Sequence, residues 1–165
     1  MPPHEPAPDF QQLVDSYYES LFRFALSLAR NENDAADLVQ QTFSQWARKG
    51  HQLRDPGLAK TWLFTTLRRE FLGTLRKAAR FSDEPPGEEE GSLEPRQAEA
   101  LDAAAVMECL QKLPLEYREP LVLFYLKDMS YAEIAEILEV PIGTVMSRLS
   151  RGKNRLRTML SDPHA

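Results

Sequence analysis

Apolar residues at Phe10, Leu13, Val14, Tyr17, Leu21, Phe24 and Leu28 recur in steps of three and four, the pattern of one amphipathic helix, with Asp9 placed to cap it. The polar break Asn31-Glu32-Asn33 ends that helix. Asp34 is the expected cap of a second one, which carries Leu38, Val39, Phe43, Trp46 and Ala47 and stops at Gly50. His51 to Gly57 reads as a loop closed by Asp55-Pro56. From Leu58 to Arg80 there is no proline, and Leu63, Leu67, Phe71 and Leu75 predict one long third helix.

The helical pattern then lapses. Between Phe81 and about Ala100 lie Pro85-Pro86-Gly87 and Glu88-Glu89-Glu90-Gly91, too little apolar surface to offset the entropy of ordering the chain, so a flexible linker is predicted. Periodicity resumes near Leu101 with Val106, Leu110 and Leu113, and Leu113-Pro114 is a predicted stop. Leu121 to Leu126 continues the helical module, with Pro120 either in the first turn of that helix or at a kink. No alternating strand pattern and no internal repeat is present. The expected fold is therefore all-α, with two small helical domains, residues 9–80 and 101–160, joined by an acidic linker, residues 81–100. In a chain of 165 residues each domain has a thin core and gains from a partner.

Ser130-Tyr131-Ala132-Glu133 has the form of a capping box and predicts a helix start. That helix runs through Ile134, Ala135, Ile137 and Leu138, turns at Glu139-Val140, and the chain restarts as helix at Pro141, which makes a helix-turn-helix. In the last helix Val145, Leu149, Gly152 and Leu156 share the inward face, and small Ala135 lets the two helices cross closely. The opposite face presents Ser147, Ser150, Arg151 and Asn154, flanked by Met146, Arg148, Lys153 and Arg155. A helix of this kind fits the major groove, although the same residues also describe a solvated basic surface.

Charge sharpens the picture. The net charge is −5, so bulk charge does not announce a nucleic-acid partner. Its distribution does: Lys60, Arg68, Arg69, Arg76, Lys77 and Arg80 face only Glu70 in one window, and Arg148, Arg151, Lys153, Arg155 and Arg157 meet no acid in another. The linker between them holds the acids that mask both. Cys109 is the single cysteine, spaced with Val106 and Leu113 as a small core residue, which excludes a disulfide framework. His4, His51 and His164 are isolated, and the glycines form no phosphate-cradling loop, so neither an enzyme, a metal nor a cofactor is expected. No apolar run approaches the roughly 18 residues of a membrane span, and Met1 to Pro8 lacks a signal pattern, which points to the cytoplasm.

The segment Met129-Ser130-Tyr131-Ala132-Glu133-Ile134-Ala135-Glu136-Ile137-Leu138, followed by Val140-Pro141-Ile142-Gly143-Thr144-Val145 and Ser147-Arg148-Leu149, resembles region four of extracytoplasmic-function (ECF) sigma factors. Asp34-Ala35-Ala36-Asp37-Leu38-Val39-Gln40-Gln41-Thr42-Phe43 resembles the family's helix that docks on the polymerase β′ clamp helices. Thr61-Trp62-Leu63-Phe64 with Leu75-Arg76 resembles its minus-10 helix. The resemblance implies a subunit that holds core RNA polymerase, at the β′ clamp helices and the β flap, and directs it to promoter DNA. Asp37, Leu38, Gln41 and Phe43 then form or support the polymerase contact. His51, Lys60, Trp62, Leu63, Arg68, Arg69 and Arg76 fall to the minus-10 element, with the loop His51 to Gly57 as the base-capturing segment. Thr144, Met146, Ser147, Arg148, Ser150, Arg151, Lys153 and Arg155 fall to the minus-35 element. An anti-sigma factor is a further partner the family admits.

The chain departs from the family pattern in places. Arg69 stands where Asn is frequent, which favours guanine or phosphate. Gly73 replaces a common Asp. Glu139 fills a turn position often held by Gly, at a cost of about 1 kcal/mol if that backbone is left-handed. Met146 replaces a frequent Lys or Arg. Two readings from other classes compete: a stand-alone helix-turn-helix repressor with the first three helices as a dimerisation or ligand domain, and a helical adaptor that binds only protein.

Overall fold

The computed structural model describes residues 9–81, 99–125 and 129–161, and they form seven α-helices with no strand among them. Three make the first layer: α1 (Phe10–Ala29), α2 (Glu32–Lys49) and α3 (Ala59–Phe81). Four follow: α4 (Glu99–Lys112), α5 (Leu115–Tyr125), α6 (Tyr131–Leu138) and α7 (Ile142–Ser161). The acidic linker predicted at residues 81–100 lies outside the described residues, except that Phe81 ends α3 and Glu99 and Ala100 open α4.

The apolar stripes do what their spacing predicts. Leu21, Phe24, Leu63, Phe64, Leu67 and Val39 are fully buried among α1, α2 and α3, with the Phe24 and Phe64 rings 5.7 Å apart. Leu113, Leu121, Leu123, Ile134, Ile137 and Val145 do the same in the second half. Local chemistry places the ends. Asn31, not Asp34, caps α2, its side chain accepting from the Asp34 N–H at 2.8 Å, because the helix begins at Glu32 and Asp34 is its third residue. Asp9 holds the cap position of α1 but makes no side-chain cap bond. Gly50 is right-handed and continues into a 3-10 turn, Gly50–Gln52. Its lack of a side chain is explained by packing, since a Cβ there would stand 2.6 Å from the Trp46 ring. Ala47 and Leu75 are exposed, so the inward stripes of α2 and α3 are narrower than predicted.

Pro120 sits inside α5, past the first turn, so the helix holding Leu121 begins five residues earlier, at Leu115. Cys109 is half-buried rather than core. The two halves also pack on each other: α5 lies against α1, and α6 lies against α3. The junction is polar as well as apolar. Arg118 is buried and its guanidinium donates to the carbonyls of Leu110, Gln111 and Leu113, which close α4, and to the carbonyl of Ser27 in α1. Arg30, in left-handed backbone just after α1, reaches the same Gln111 carbonyl at 3.1 Å.

Candidate nucleic-acid interface

The helix-turn-helix is built as its residues dictate. The Glu133 N–H donates to Ser130 Oγ at 3.1 Å, and the Ser130 N–H donates to Glu133 Oε1 at 3.4 Å, which completes the capping box. Glu139 is left-handed, with φ 57° and ψ 44°, and the N–H groups of Glu139 and Val140 return to the carbonyls of Glu136 and Ala135. Pro141 falls one residue before α7, where its carbonyl accepts from the Val145 N–H at 3.2 Å. Gly152 is buried against α5; a Cβ there would meet Leu121 Cδ1 at 2.9 Å and Tyr117 Cβ at 3.4 Å, so α7 and α5 cross closely and a larger residue would have to displace the Leu121 side chain.

With Val145, Leu149 and Gly152 buried, Met146, Ser147, Ser150, Arg151 and Asn154 are exposed on α7. This is the outward face the sequence predicts. Thr144 and Arg148 are half-buried at its edges. Two cations of α7 are seated on rings of α5: the Lys153 ammonium lies 4.5 Å from the Phe124 centroid and the Arg155 guanidinium 4.6 Å from that of Tyr117. They flank the exposed face rather than crown it.

On the first half, α3 carries the second basic face. Lys60 Nζ lies 2.8 Å from Glu133 Oε2, Arg68 Nε lies 2.6 Å from Glu119 Oε2, and Arg69 pairs with Glu139. Arg76 is exposed. Trp62 is half-buried, edge-on to Trp46 at 5.2 Å, so part of the indole remains available. Leu63 is different: it is fully buried, as its place in the inward series of α3 requires, and cannot touch DNA in this fold. His51 is exposed in the 3-10 turn after α2.

Asp37 and Gln41 are exposed on α2, while Leu38 and Phe43 are core, Phe43 under the edge of Phe10. A polar groove of about 440 Å³ runs beside Gln41 between α2 and α3, lined by Gln45, Arg48, Glu70 and Lys77.

Arg118 and Glu119 escaped the sequence reading altogether. Neither belongs to a charged run or a periodic stripe, and Glu119 finds its partner Arg68 51 residues away. The electrostatics of these carboxylates diverge. Burial pushes Glu119 above the usual carboxylate value, against the opposing pull of Arg68, Arg148 and Arg118. The hydrogen bond from Lys60 holds Glu133 below it, and that from Arg69 does the same for Glu139. Burial, with Arg30 nearby, lowers Arg118 to about 10.

A helix-turn-helix with an acid-free outward face, joined to a three-helix layer with its own basic helix, defines an all-helical protein of transcription. Residues 13–81 match the family described as Sigma-70 region 2, and residues 103–156 match Sigma-70, region 4. The ECF RNA polymerase sigma factor EcfG of Rhodopseudomonas palustris is 33% identical over 86% of this chain and 79% of its own. SigM of Bacillus subtilis is 29% identical over 90% and 93%. SigE of Mycolicibacterium smegmatis is 32% identical over 93% of this chain, which spans only 62% of that relative. In structure, the sigma factor RpoE in complex with the anti-sigma factor NepR, from Bartonella quintana, superposes with a TM-score of 0.79 at 32% identity, covering 93% of this chain and 97% of that one. The chain belongs to the ECF family of RNA polymerase sigma factors, proteins that direct transcription initiation. No described helix is long and apolar enough to cross a membrane.

Proposed function

We propose that this chain binds core RNA polymerase through its first domain, residues 9–80, and directs it to promoters whose minus-35 element is read by its second, residues 101–160, the two being joined by the acidic segment 81–100. The observation that carries the reading is the outward face of α7, where Ser147, Ser150, Arg151 and Asn154 stand exposed on a helix fixed by a completed capping box and a tight turn. Arg151 at its centre suits a bidentate contact with guanine, with Thr144, Met146 and Arg148 around it. Lys153 and Arg155, tethered at the flanks, suit phosphates. On the first domain His51, Lys60, Trp62, Arg68, Arg69 and Arg76 serve the minus-10 element, with basic groups for the backbone and a half-buried indole for an unstacked base. Leu63 supports them from the core.

Asp37 and Gln41 offer the polymerase contact, and Leu38 and Phe43 hold their helix in place. The β′ clamp helices and the β flap are the corresponding polymerase surfaces. RpoE was solved with an anti-sigma factor, and a protein of that class is a candidate partner here as well. The place of action is the cytoplasm, and no catalytic role is assigned. A stand-alone repressor is not favoured, because it leaves the match to region 2 without a purpose. Reconstitution with core polymerase on a promoter library, followed by transcript sequencing, tests the function. Start sites sharing two spaced elements are expected; tight sequence-specific duplex binding by the free chain, with no polymerase-dependent transcription, would reverse the conclusion.

A further inference from the structure

The outward face of α7 is polar except at its N-terminal end. There Ile142 and Met146, one helical turn apart, are 47% and 53% exposed, and Met146 is the most exposed large non-aromatic hydrophobic side chain among the described residues. Its neighbours on the face are short. Gly143 has no side chain, Ser147 turns its hydroxyl back to donate to the Thr144 carbonyl at 3.1 Å, and Ser150 follows one turn after Met146. Packing does not demand Gly143, since a Cβ there would have nothing within 4 Å and its φ is not positive. A glycine that weakens its helix and relieves no internal contact leaves room for something outside the chain to approach the backbone. Apolar surface held in water and open space beside it therefore coincide at this end of α7.

We propose that Met146 reads the C5-methyl group of a thymine, so that the minus-35 element of this chain holds an A·T pair opposite the N-terminal end of α7. The proposal rests on the reading of α7 as the minus-35 helix and adds the identity of one base pair to it. In the major groove only thymine presents a methyl group. A thioether donates no hydrogen bond and accepts weakly, so against the polar edge of guanine or cytosine Met146 would displace water without replacing its hydrogen bonds. Against a methyl group it gains contact and displaces little. Ile142, on the same edge of the helix, widens the apolar surface that the methyl meets. Arg151 serves a different base pair. It stands five residues after Met146, about 140° around the helix and about 7–8 Å along it, the rise of roughly two base pairs.

The test uses the full chain assembled with core RNA polymerase on promoters randomised across the minus-35 element. Transcript sequencing is expected to show a fixed thymine at one position with the parent, a relaxed choice at that position alone with Met146→Ala, and a change there to guanine with Met146→Arg. Arg151→Ala relaxes another position. In the selected promoter, deoxyuridine in place of that thymine removes only the methyl group. Holoenzyme affinity is expected to fall about fourfold for the parent, the value of one buried methyl, and to stay level for Met146→Ala. Met146 lies outside the core, so its substitutions leave the fold intact.

A parent indifferent to uracil, or a Met146→Ala variant as sensitive to it as the parent, overturns the methyl contact. Uniform loss across the whole library with Met146→Ala overturns it too, and places Ile142 and Met146 against protein. If Arg151→Ala alters the selected minus-35 sequence and Met146→Ala does not, the proposal falls while the reading of α7 stands. If neither alters it and transcription continues, α7 is not the reading helix and both fall together.

Discussion

Helices α3 and α7 are both long and basic, and each lays an apolar stripe into a core, but their cations are held in different ways. On α3, Lys60, Arg68 and Arg69 are neutralised by carboxylates from the other half of the chain. On α7, Lys153 and Arg155 rest on rings of their own half, and Arg151 stands exposed with no ion pair among the described residues. Ring contacts leave a cation its charge, whereas a carboxylate cancels it. Two helices with similar sequence signatures are therefore in different states of readiness, α7 presented and α3 covered. A basic window in a sequence establishes that a surface exists and says nothing of whether it is free.

The largest expected effect comes from removing the buried arginine at the junction between the halves, where α5 meets α1 and the end of α4. Arg118→Ala deprives the carbonyls of Leu110, Leu113 and Ser27 of a buried donor, and such an uncompensated loss costs about 3 kcal/mol. Denaturant titration should show that drop in the unfolding free energy. A loss under about 1 kcal/mol would mean that water satisfies these carbonyls and that the halves hold together without the arginine.

Arg151→Ala tests the presented helix. Loss of a bidentate base contact should cost about 1–3 kcal/mol and relax the choice at one minus-35 base pair, whereas Arg155→Ala should weaken all promoters alike and lower the salt slope by about 1. Promoter-library transcription and salt-dependent binding separate the two. Selectivity lost with Arg155 and kept without Arg151 would rotate the reading face of α7 toward its flank.

How much of this contrast was legible depends on the distance over which it is written. The capping box Ser130–Glu133, the inward set Val145, Leu149 and Gly152, and the turn at Glu139-Val140 are local features, set by backbone chemistry within a few residues, and the sequence carries them; the left-handed backbone of Glu139 is settled by the structure. Asn31 and Asp34, three residues apart, are equally good cap formers, so residue type alone does not choose between them, and α2 begins at the first. Leu63 was drawn onto DNA by resemblance while its own periodicity placed it inside. The ion pairs of α3 join residues 51, 70 and 73 positions apart, and no periodicity encodes such partners. Arg118 is hidden for the same reason: one of its carbonyl acceptors belongs to a helix 91 residues away.

The covered helix has its own pH signature. Glu119 is raised above its ordinary value by burial, so its folded form holds a proton at a pH where the unfolded form has lost it. Its favourable contribution is present below the unfolded value of 4.5 and is lost as pH rises through the higher folded value. In Arg68→Gln the group that pulls Glu119 down is gone, the folded value climbs further, and the loss extends to higher pH. The variant should match the parent near pH 4 and fall about 1–2 kcal/mol behind it near pH 7, a difference that parallel thermal or denaturant unfolding at several pH values measures. A constant gap across that range would show that Arg68 acts by packing and not by charge.

The smallest effect lies where the two basic helices meet. Glu139 spends backbone energy to hold φ at 57°, a conformation that costs a residue with a Cβ about 1 kcal/mol, and it returns an exposed pair with Arg69. Pairs of that exposure contribute little, so the balance favours glycine. Glu139→Gly should raise the unfolding free energy by about 0.5 kcal/mol, the backbone gain less the entropy that glycine loses on folding. Glu139→Gln keeps the strained backbone and removes only the charge, so it should change stability by less than that while freeing Arg69. A glycine variant less stable than the parent, alongside a glutamine variant that is equally weakened, would place the value of Glu139 in its contact with α3 and make the outermost pair a true part of what covers that helix.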